Sequence, residues 1–141
     1  MIGIPGSGKS YWRQNFKGIL ISPDDILETE FNYEWSPAHV GYAWKKAYQQ
    51  LGSGLLGGQN LVFDAVFATP FDRSAILNIA KGCGWSVVAV FMNTPLSVCM
   101  ERNALRPENR RVPESKMKDF ARRMTHPFKG EGWDDIIDWV D

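Results

Sequence analysis

Short apolar runs alternate with longer amphipathic stretches along the chain, an arrangement typical of a parallel sheet covered by helices. Four runs are predicted to be strands: GILIS (18–22), NLVFDAVF (60–67), WSVVAVFMN (85–93) and DIIDWV (135–140). The second and third are almost wholly apolar, as expected of strands buried on both faces. Met1 and Ile2 add the end of one more strand. We therefore predict a three-layer α/β/α domain with a mostly parallel sheet of about five strands.

Three predicted helices begin with a hydroxyl residue followed by proline, at Ser36–Pro37, Thr69–Pro70 and Thr94–Pro95. The hydroxyl can cap the first backbone N–H groups, and proline fits the first helical position. After Ser36, apolar residues recur at helical spacing and predict one buried stripe. These residues are Val40, Trp44, Ala47, Tyr48 and Leu51. The glycine-rich stretch at 52–59 is predicted to end this helix.

Composition favours one soluble domain, because 141 residues can form a sizeable core but hardly two. The formal net charge is zero, so no overall field draws the chain to nucleic acid or membranes. Residues 101–123 nevertheless hold eight basic and four acidic side chains, and an acidic tail runs from Glu131 to Asp141. This asymmetry suits a protein that holds phosphates at one site.

The two cysteines, Cys83 and Cys99, form no C-x-x-C pair, which favours reduced core thiols in a cytoplasmic protein. No apolar run approaches the roughly 20 residues of a membrane-spanning helix, and no signal peptide is visible. We expect a cytoplasmic location without a membrane partner. The sequence does not predict the oligomeric state.

The first ten residues, MIGIPGSGKS, contain the pattern G-x-x-x-x-G-K-[ST], which wraps nucleotide phosphates in backbone N–H groups. Lys9 is predicted to reach the β- and γ-phosphates, and the Ser10 hydroxyl to bind Mg²⁺. We therefore expect ATP and Mg²⁺ at this loop. The predicted nucleotide-binding residues are Gly3, Pro5, Gly6, Ser7, Gly8, Lys9, Ser10 and Tyr11.

The residues after the second long apolar run help to choose between classes of nucleotide-binding protein. Asp64 ends the strand LVFD and is followed by Ala65 and Val66, without the adjacent Glu that activates water in many ATPases. The N-K-x-D motif of GTPases is also missing from the sequence. The remaining class of activity is phosphoryl transfer from the nucleotide to a bound hydroxyl. Asp64 could orient Mg²⁺ through water, pair with one of the lid arginines described below, or be a buried acid satisfied by nearby backbone.

Such a transfer needs a carboxylate for the acceptor hydroxyl, and Asp24 and Asp25 follow the strand GILIS. We predict that Asp24 is this carboxylate, although acids at this position also suit a helix start. Close to the acceptor, Phe31, Tyr33 and Trp35 could stack on a base or sugar, or cap the core. His39 and His126 stand alone in the sequence, which gives a zinc site no support.

Positive charge for the phosphates is predicted to come from a helical lid at about residues 102–113. Arg102 and Arg106 are four residues apart, so both would leave one face of a helix that Pro107 ends. Two neighbouring guanidinium groups suit bidentate phosphate contacts. Arg110 and Arg111 extend the set, and the alternative for all four is a solvated basic face.

Together these residues resemble the P-loop kinases typified by phage polynucleotide 5′-hydroxyl kinase, a group that also includes zeta-toxin-like kinases. The likeness covers nearly the whole chain through GIPGSGKSYW, DD, FDAVF, PFDR, ERNALR…RVPE and EGWDDI. It implies that Asp24 is the general base and that Arg102 and Arg106 act on the ATP phosphates. The family often has an arginine three residues after the first Asp, where this chain has Leu27.

The resulting expectation is one kinase domain at 1–141, of phage or bacterial type, that phosphorylates a hydroxyl with ATP. The leading acceptor is the 5′-OH of a polynucleotide. The alternatives are a small-molecule kinase acting on a nucleoside, sugar or nucleotide-sugar, and a nucleotide-binding module without turnover. Met1 and Ile2 are few for a buried strand, so either that strand is short or the natural chain begins upstream.

Overall fold

The computed structural model describes residues 1–140, and Asp141, the last acid of the tail, lies outside them. The described chain is an α/β protein with parallel strands, as predicted. Its helices and strands are α1 (Lys9–Arg13), β1 (Ile19–Ile21), α2 (Pro23–Phe31), α3 (Pro37–Leu56), β2 (Leu61–Phe63), α4 (Pro70–Gly82), β3 (Val88–Met92), α5 (Leu96–Ala104), α6 (Glu114–Arg123) and β4 (Asp135–Trp139). Two short 3-10 helices cover Glu108–Arg110 and Lys129–Glu131.

The strands form two parallel pairs rather than the predicted sheet of about five strands. In the described residues β1 pairs with β2, and β3 pairs with β4. Ile2 lies between the pairs and makes isolated parallel bridges to Ala65 and Phe91. Because Gly3 already begins the phosphate loop, Ile2 is the one residue here that bridges on both sides. We call its backbone contacts the seam.

The seam consists of short backbone hydrogen bonds. The Ile2 N–H donates to the Val90 carbonyl at 2.9 Å, and the Met92 N–H donates to the Ile2 carbonyl at 2.9 Å. The ammonium of Met1 donates to the Phe63 carbonyl at 2.6 Å. Burial lowers the pKa of this ammonium to about 6, although the charge of Asp64 opposes the shift. Met1 and Ile2 thus lie deep between the two pairs of strands.

One of two predicted element ends differs from the structure. β2 ends at Phe63 instead of continuing to Phe67, which has a positive φ of 50° and leaves the extended conformation. α3 ends at Leu56, inside the glycine-rich stretch that was predicted to end it, after continuing through Gly52 and Gly54. Gly54 is buried there, and a Cβ on it would lie 2.9 Å from Leu61 Cδ2. The glycine therefore lets the helix pack closely on the strand.

The main core forms between α3 and the β1–β2 pair, as the apolar stripe after Ser36 predicted. Ala43, Ala47 and Leu51 are buried on this helix, and Trp44 stacks on Phe63 with 5.9 Å between ring centroids.

The predicted caps are confirmed at Ser36 and at Thr69, whose hydroxyl and the Asp72 carboxylate form a capping box. Among residues 1–140, no helix combines the length and apolar character needed to cross a membrane.

A buried ion pair ties α4 to the chain that precedes β4. Arg73 is 1% exposed and donates to both carboxylate oxygens of Glu131, at 2.8 and 2.6 Å. The same guanidinium donates to the carbonyls of Phe67 at 2.9 Å and Thr125 at 3.1 Å. Burial raises the pKa of Glu131, but hydrogen bonds from Arg73 and Trp133 outweigh it and lower the pKa overall. The charges of Arg73 and Glu131 are therefore balanced where they are buried.

A histidine contact with β4 predicts a pH-dependent contribution to stability. His126 Nε2 lies 2.5 Å from Asp138 Oδ1, and Nδ1 lies 2.7 Å from the Pro127 carbonyl, so both ring nitrogens face acceptors. The bond to Asp138 raises the pKa of His126, against small opposing effects that include the charge of Arg73. A raised pKa stabilises the fold below the unfolded value of about 6.5, and this contribution is lost as pH rises through the folded value.

We therefore expect the free energy of unfolding of the wild type to fall, relative to Asp138→Asn, as pH increases above about 6.5. The effect should stay below about 1 kcal/mol, because the pair is half exposed. Urea unfolding at pH 5.5 and pH 8.5 measures it. Equal pH dependence in the two proteins would contradict the expectation.

Candidate active site

The phosphate loop joins the seam to α1, and its glycines are required by its geometry. Gly6 and Gly8 have positive φ values of 83° and 99°, which side-chain-bearing residues rarely adopt. A Cβ on Gly3 would lie 2.5 Å from Ser7 Oγ, and one on Gly6 would lie 2.5 Å from the Cys99 carbonyl oxygen. The loop is therefore packed tightly on α5 and on its own turn.

Lys9 folds back over the loop. Its Nζ donates to the carbonyls of Gly3 at 2.7 Å and Ile4 at 3.2 Å, and lies 4.0 Å from Asp64 Oδ1. Burial lowers the pKa of Lys9, the charges of Asp64 and Asp24 oppose this, and Arg106 lowers the pKa further. A phosphate anion at the loop would give this largely buried ammonium a second partner of opposite charge besides Asp64.

Arg13 is a member of the site that the sequence analysis missed. It lies on α1 four residues after Lys9, and its Nη1 donates to Asp64 Oδ2 at 2.8 Å. Its other terminal nitrogen, Nη2, makes a short ion pair with Asp25 Oδ2. Arg13 thus joins three elements, α1, the end of β2 and the start of α2. Spacing of four residues from the loop lysine is the signal that could have indicated it.

Asp24 lies in the first turn of α2, after the cap Ser22 and Pro23. Within the described residues it makes no ion pair, whereas Asp25 pairs with Arg13. Desolvation by the surrounding protein raises the pKa of Asp24, although its side chain reaches solvent; the charge of Lys9 opposes the rise, and that of Asp64 adds to it. Asp24 is therefore an accessible carboxylate with a raised pKa, whereas its neighbour Asp25 is occupied by Arg13.

Both predicted lid arginines lie near the loop, but they do not share one helix. Arg102 is on α5 and its Nη1 donates to the Gly6 carbonyl at 3.3 Å. α5 ends at Ala104, so the prediction that this helix continues through Arg106 is wrong. Arg106 precedes Pro107, and helical backbone is disfavoured for a residue that precedes proline. The Arg106 charge still acts on Lys9 and Asp24.

The start of α5 differs from the prediction in its cap. Its N-cap is Pro95, without a side-chain capping bond. The hydroxyl of Thr94 instead donates to the Ser7 carbonyl at 2.9 Å. This contact places Thr94, the second residue after β3, directly on the phosphate loop. Thr94 therefore supports the loop and not the helix.

Residues 105–113, which we call the arginine loop, connect α5 to α6. Buried Asn103 binds the backbone of Val112, near the C-terminal end of this loop. Its Nδ2 donates to the Val112 carbonyl at 2.7 Å, and its Oδ1 accepts from the Val112 N–H at 3.0 Å. Arg111 donates to the Arg106 carbonyl at 2.9 Å. A polar residue on the buried face of α5 is a signal for such a side-chain-to-backbone contact, and the sequence analysis did not use this signal. The loop is thus ordered by its own contacts.

Two buried polar atoms in the site have no hydrogen-bond partner, Ser7 Oγ and Asp64 Oδ1. Ser10 lies exposed in the first turn of α1, on the element that carries Lys9. No group of three or more His, Cys, Asp or Glu among residues 1–140 is placed to hold a metal by itself. A hydroxyl and one free carboxylate oxygen fit Mg²⁺, which commonly takes one or two protein ligands together with phosphates and water.

The remaining predicted residues lie at the edges of the site. Tyr11 is exposed, with its ring centroid 6.2 Å from that of Trp139. Phe31 stacks on His39 at 3.9 Å between centroids, which occupies one of its faces, and Trp35 is exposed. Leu27, where the resembled family often has arginine, is buried in the core. Trp35 is the aromatic of this group most available to a ligand.

The site thus combines a tight loop with main-chain N–H groups, a lysine above it, and a carboxylate and arginines around it. Such an arrangement can hold an anionic phosphate chain and compensate the charge that develops during transfer. It can also accept a proton from a hydroxyl near Asp24.

The chain is similar to known proteins in two comparisons. A family model described as an AAA domain matches residues 1–127. Among curated proteins, an L-seryl-tRNA(Sec) kinase from Methanococcus maripaludis is 23% identical over 146 residues, which covers 95% of this chain and 54% of that relative. The chain therefore spans about half the length of this relative.

Proposed function

The chain belongs to the AAA domain family whose model matches its residues 1–127, and from that premise we propose that it is a P-loop kinase. It transfers the γ-phosphoryl group of ATP to a hydroxyl acceptor, and residues 1–141 act as one domain with a lid at about 102–113. The observation that carries the proposal is an accessible Asp24, at the start of α2, on which the charges of Lys9 and Arg106 act. A loop that only bound nucleotide would not need a basic carboxylate at this place.

The reaction assigns a role to each of these groups. The loop N–H groups and Lys9 hold the β- and γ-phosphates of ATP. Asp24 accepts the acceptor's hydroxyl proton as the oxygen attacks the γ-phosphorus, and ADP leaves with the electron pair of the broken P–O bond. Arg102 and Arg106 compensate the charge on the transferred group. Arg13 neutralises Asp25 and holds Asp64, which leaves Asp24 to act as the base.

Ser10 and the free oxygen of Asp64, the latter through water, would hold Mg²⁺. The bound ion supplies charge neutralisation for the phosphate oxygens. The chain's own part is to present the Ser10 hydroxyl from α1 and to hold Asp64 in place. Arg13 does the second by bonding the other carboxylate oxygen at 2.8 Å.

The proposed acceptor is a hydroxyl on a nucleic acid, with the 5′-OH of a polynucleotide first. The name of the relative, an L-seryl-tRNA(Sec) kinase, favours a second candidate, a hydroxyl on an aminoacylated tRNA. Burial of Leu27 favours a third, a nucleoside, sugar or nucleotide-sugar, because no arginine at that position grips a nucleic acid. All three candidates use the same donor half of the site.

A panel with γ-labelled ATP and Mg²⁺ tests the proposal. The acceptors are 5′-OH DNA and RNA oligonucleotides, seryl-tRNA, nucleosides and sugars, each with the wild type and with Lys9→Met as the inactive control. Label on 5′-OH oligonucleotides alone supports the leading acceptor, and label on another class replaces it. Nucleotide binding without label on any acceptor would contradict a kinase and favour a binding module.

Arg106→Ala should lower turnover by roughly 10²-fold, the usual cost of removing one charge-stabilising donor. ATP binding should weaken less, because Lys9 and the loop N–H groups remain. Steady-state kinetics and equilibrium ATP titration separate the two effects. Arg122→Ala is the matched control, since Arg122 is exposed on α6 and pairs with Asp119. Equal turnover in both variants would assign Arg106 to the solvated surface.

A further inference from the structure

The arginine loop contacts the helix that carries Asp24 through a second arginine. Arg110 Nη2 donates to Glu28 Oε2 at 3.3 Å and to the hydroxyl of Tyr33. Its guanidinium carbon lies 4.8 Å from the centroid of the Tyr33 ring. The Tyr33 hydroxyl in turn donates to Glu28 Oε2 at 3.0 Å. These three side chains form a closed cluster between residues far apart in the sequence.

The backbone at the end of α2 is shaped to present Tyr33 to this cluster. Asn32 and Tyr33 both have positive φ values, 48° and 58°, which is rare for a bulky aromatic residue. The Tyr33 N–H donates to the Leu27 carbonyl at 3.0 Å and so closes the helix. Strain of this kind persists where the surrounding contacts require it.

Two loop cations face two acids on one face of α2. Asp24 and Glu28 are four residues apart on the helix and therefore lie on the same face. Arg106 acts on the charge of Asp24, and Arg110 bonds Glu28. The arginine loop thus runs along the helix that bears the base.

We propose that Glu28, Tyr33 and Arg110 form a latch that holds the arginine loop on α2, so that Arg106 and Asp24 are positioned together. The contacts that form the latch do not depend on which reaction the protein catalyses. Its catalytic consequence rests on the proposed kinase function. Glu28, Tyr33 and Arg110 are positioning residues, because they act through Arg106 and Asp24.

Tyr33 remains protonated at neutral pH, as the latch requires. Burial and the hydrogen bond to Glu28 raise the pKa of Tyr33 to about 12, although the charge of Arg110 opposes the rise. The hydroxyl can therefore donate to Glu28 and accept from Arg110 at the same time.

Limited trypsin digestion tests the latch without any substrate. The loop contains the Arg110–Arg111 and Arg111–Val112 bonds, whereas Pro107 protects the bond after Arg106. Cleavage in the loop of Glu28→Gln and Tyr33→Phe should be roughly three- to tenfold faster than in the wild type. The first variant loses the partly exposed ion pair with Arg110, and the second loses the hydroxyl that bonds Glu28 and Arg110. The matched control is Glu30→Gln, because Glu30 pairs with Lys46 on α3.

A charge exchange separates a specific latch from general loosening. Glu28→Arg should speed cleavage after Arg111, and adding Arg110→Glu should bring the rate back towards that of the wild type. Cleavage at the wild-type rate in both Glu28→Gln and Tyr33→Phe would overturn the latch. A double variant that is cleaved as fast as Glu28→Arg would also overturn it.

Kinetics test the positioning role with the acceptor that the panel identifies. In Tyr33→Phe, which removes the two hydrogen bonds of the hydroxyl, kcat should fall roughly three- to tenfold while ATP affinity without acceptor stays unchanged. An unchanged kcat together with faster cleavage would overturn the positioning role. If the wild type phosphorylates no acceptor, the kinase proposal fails, and the proteolysis still decides whether the latch exists.

Discussion

Asp24→Asn should lower phosphoryl transfer by roughly 10²- to 10⁴-fold, the range that a positioned general base contributes. ATP binding should be kept, because the loop, Lys9 and Ser10 are untouched. Asparagine has nearly the same shape as aspartate but cannot take up the acceptor's proton. Single-turnover transfer at saturating ATP measures the loss, and a nucleotide titration measures binding.

Asp25→Asn is the matched control for this prediction. Asp25 is the next residue on the same helix turn, but its carboxylate is occupied by Arg13. We expect its substitution to affect transfer far less than that of Asp24. Loss of ATP affinity in Asp24→Asn with transfer spared would contradict the base assignment, as would an equal loss of transfer in Asp25→Asn.

Arg73→Met should cost roughly 3–5 kcal/mol of stability, because it leaves the Glu131 carboxylate buried without its partner. This is a large part of the 5–15 kcal/mol typical of a domain, so much of the protein should unfold at moderate temperature. Urea unfolding followed by circular dichroism gives the free energy of unfolding.

Two comparisons make the prediction about Arg73 sharper. The double variant Arg73→Met/Glu131→Leu should recover a large part of the loss, since both buried charges are then removed. Arg123→Met removes an exposed pair with Asp119 and should cost less than about 1 kcal/mol. A loss for Arg73→Met no greater than that for Arg123→Met would show that the buried pair has little effect on stability.

The sequence predicted best what is encoded locally. The apolar stripe of α3, the helix starts at Ser36–Pro37 and Thr69–Pro70 and the glycines of the phosphate loop appear as expected, because spacing and backbone conformation determine them directly. The succession of strands along the chain and their parallel direction also follow from the alternation of apolar and amphipathic stretches.

Other parts of the site depend on contacts between residues far apart in the sequence. The bonds from Arg13 to Asp64 and from Arg110 to Tyr33 connect elements whose relative positions no local pattern reveals. Thr94 looked like a helix cap because a hydroxyl before proline suits one, yet the nearby Ser7 carbonyl takes its hydrogen bond. The end of α5 before Arg106 could have been predicted by applying the proline rule strictly.

The seam at Ile2 bears on the order in which the molecule folds. β1 pairs with β2 and β3 pairs with β4 without Ile2, whereas Ile2 bridges both Ala65, two residues beyond β2, and Phe91 of β3. Contacts between residues distant in sequence form late, because closing a long loop costs chain entropy before any contact repays it. The phosphate loop begins directly after Ile2, and the Gly3 N–H donates to the Val66 carbonyl, so the position of the loop depends on the seam. Partly folded chains should therefore contain either strand pair but lack the nucleotide site.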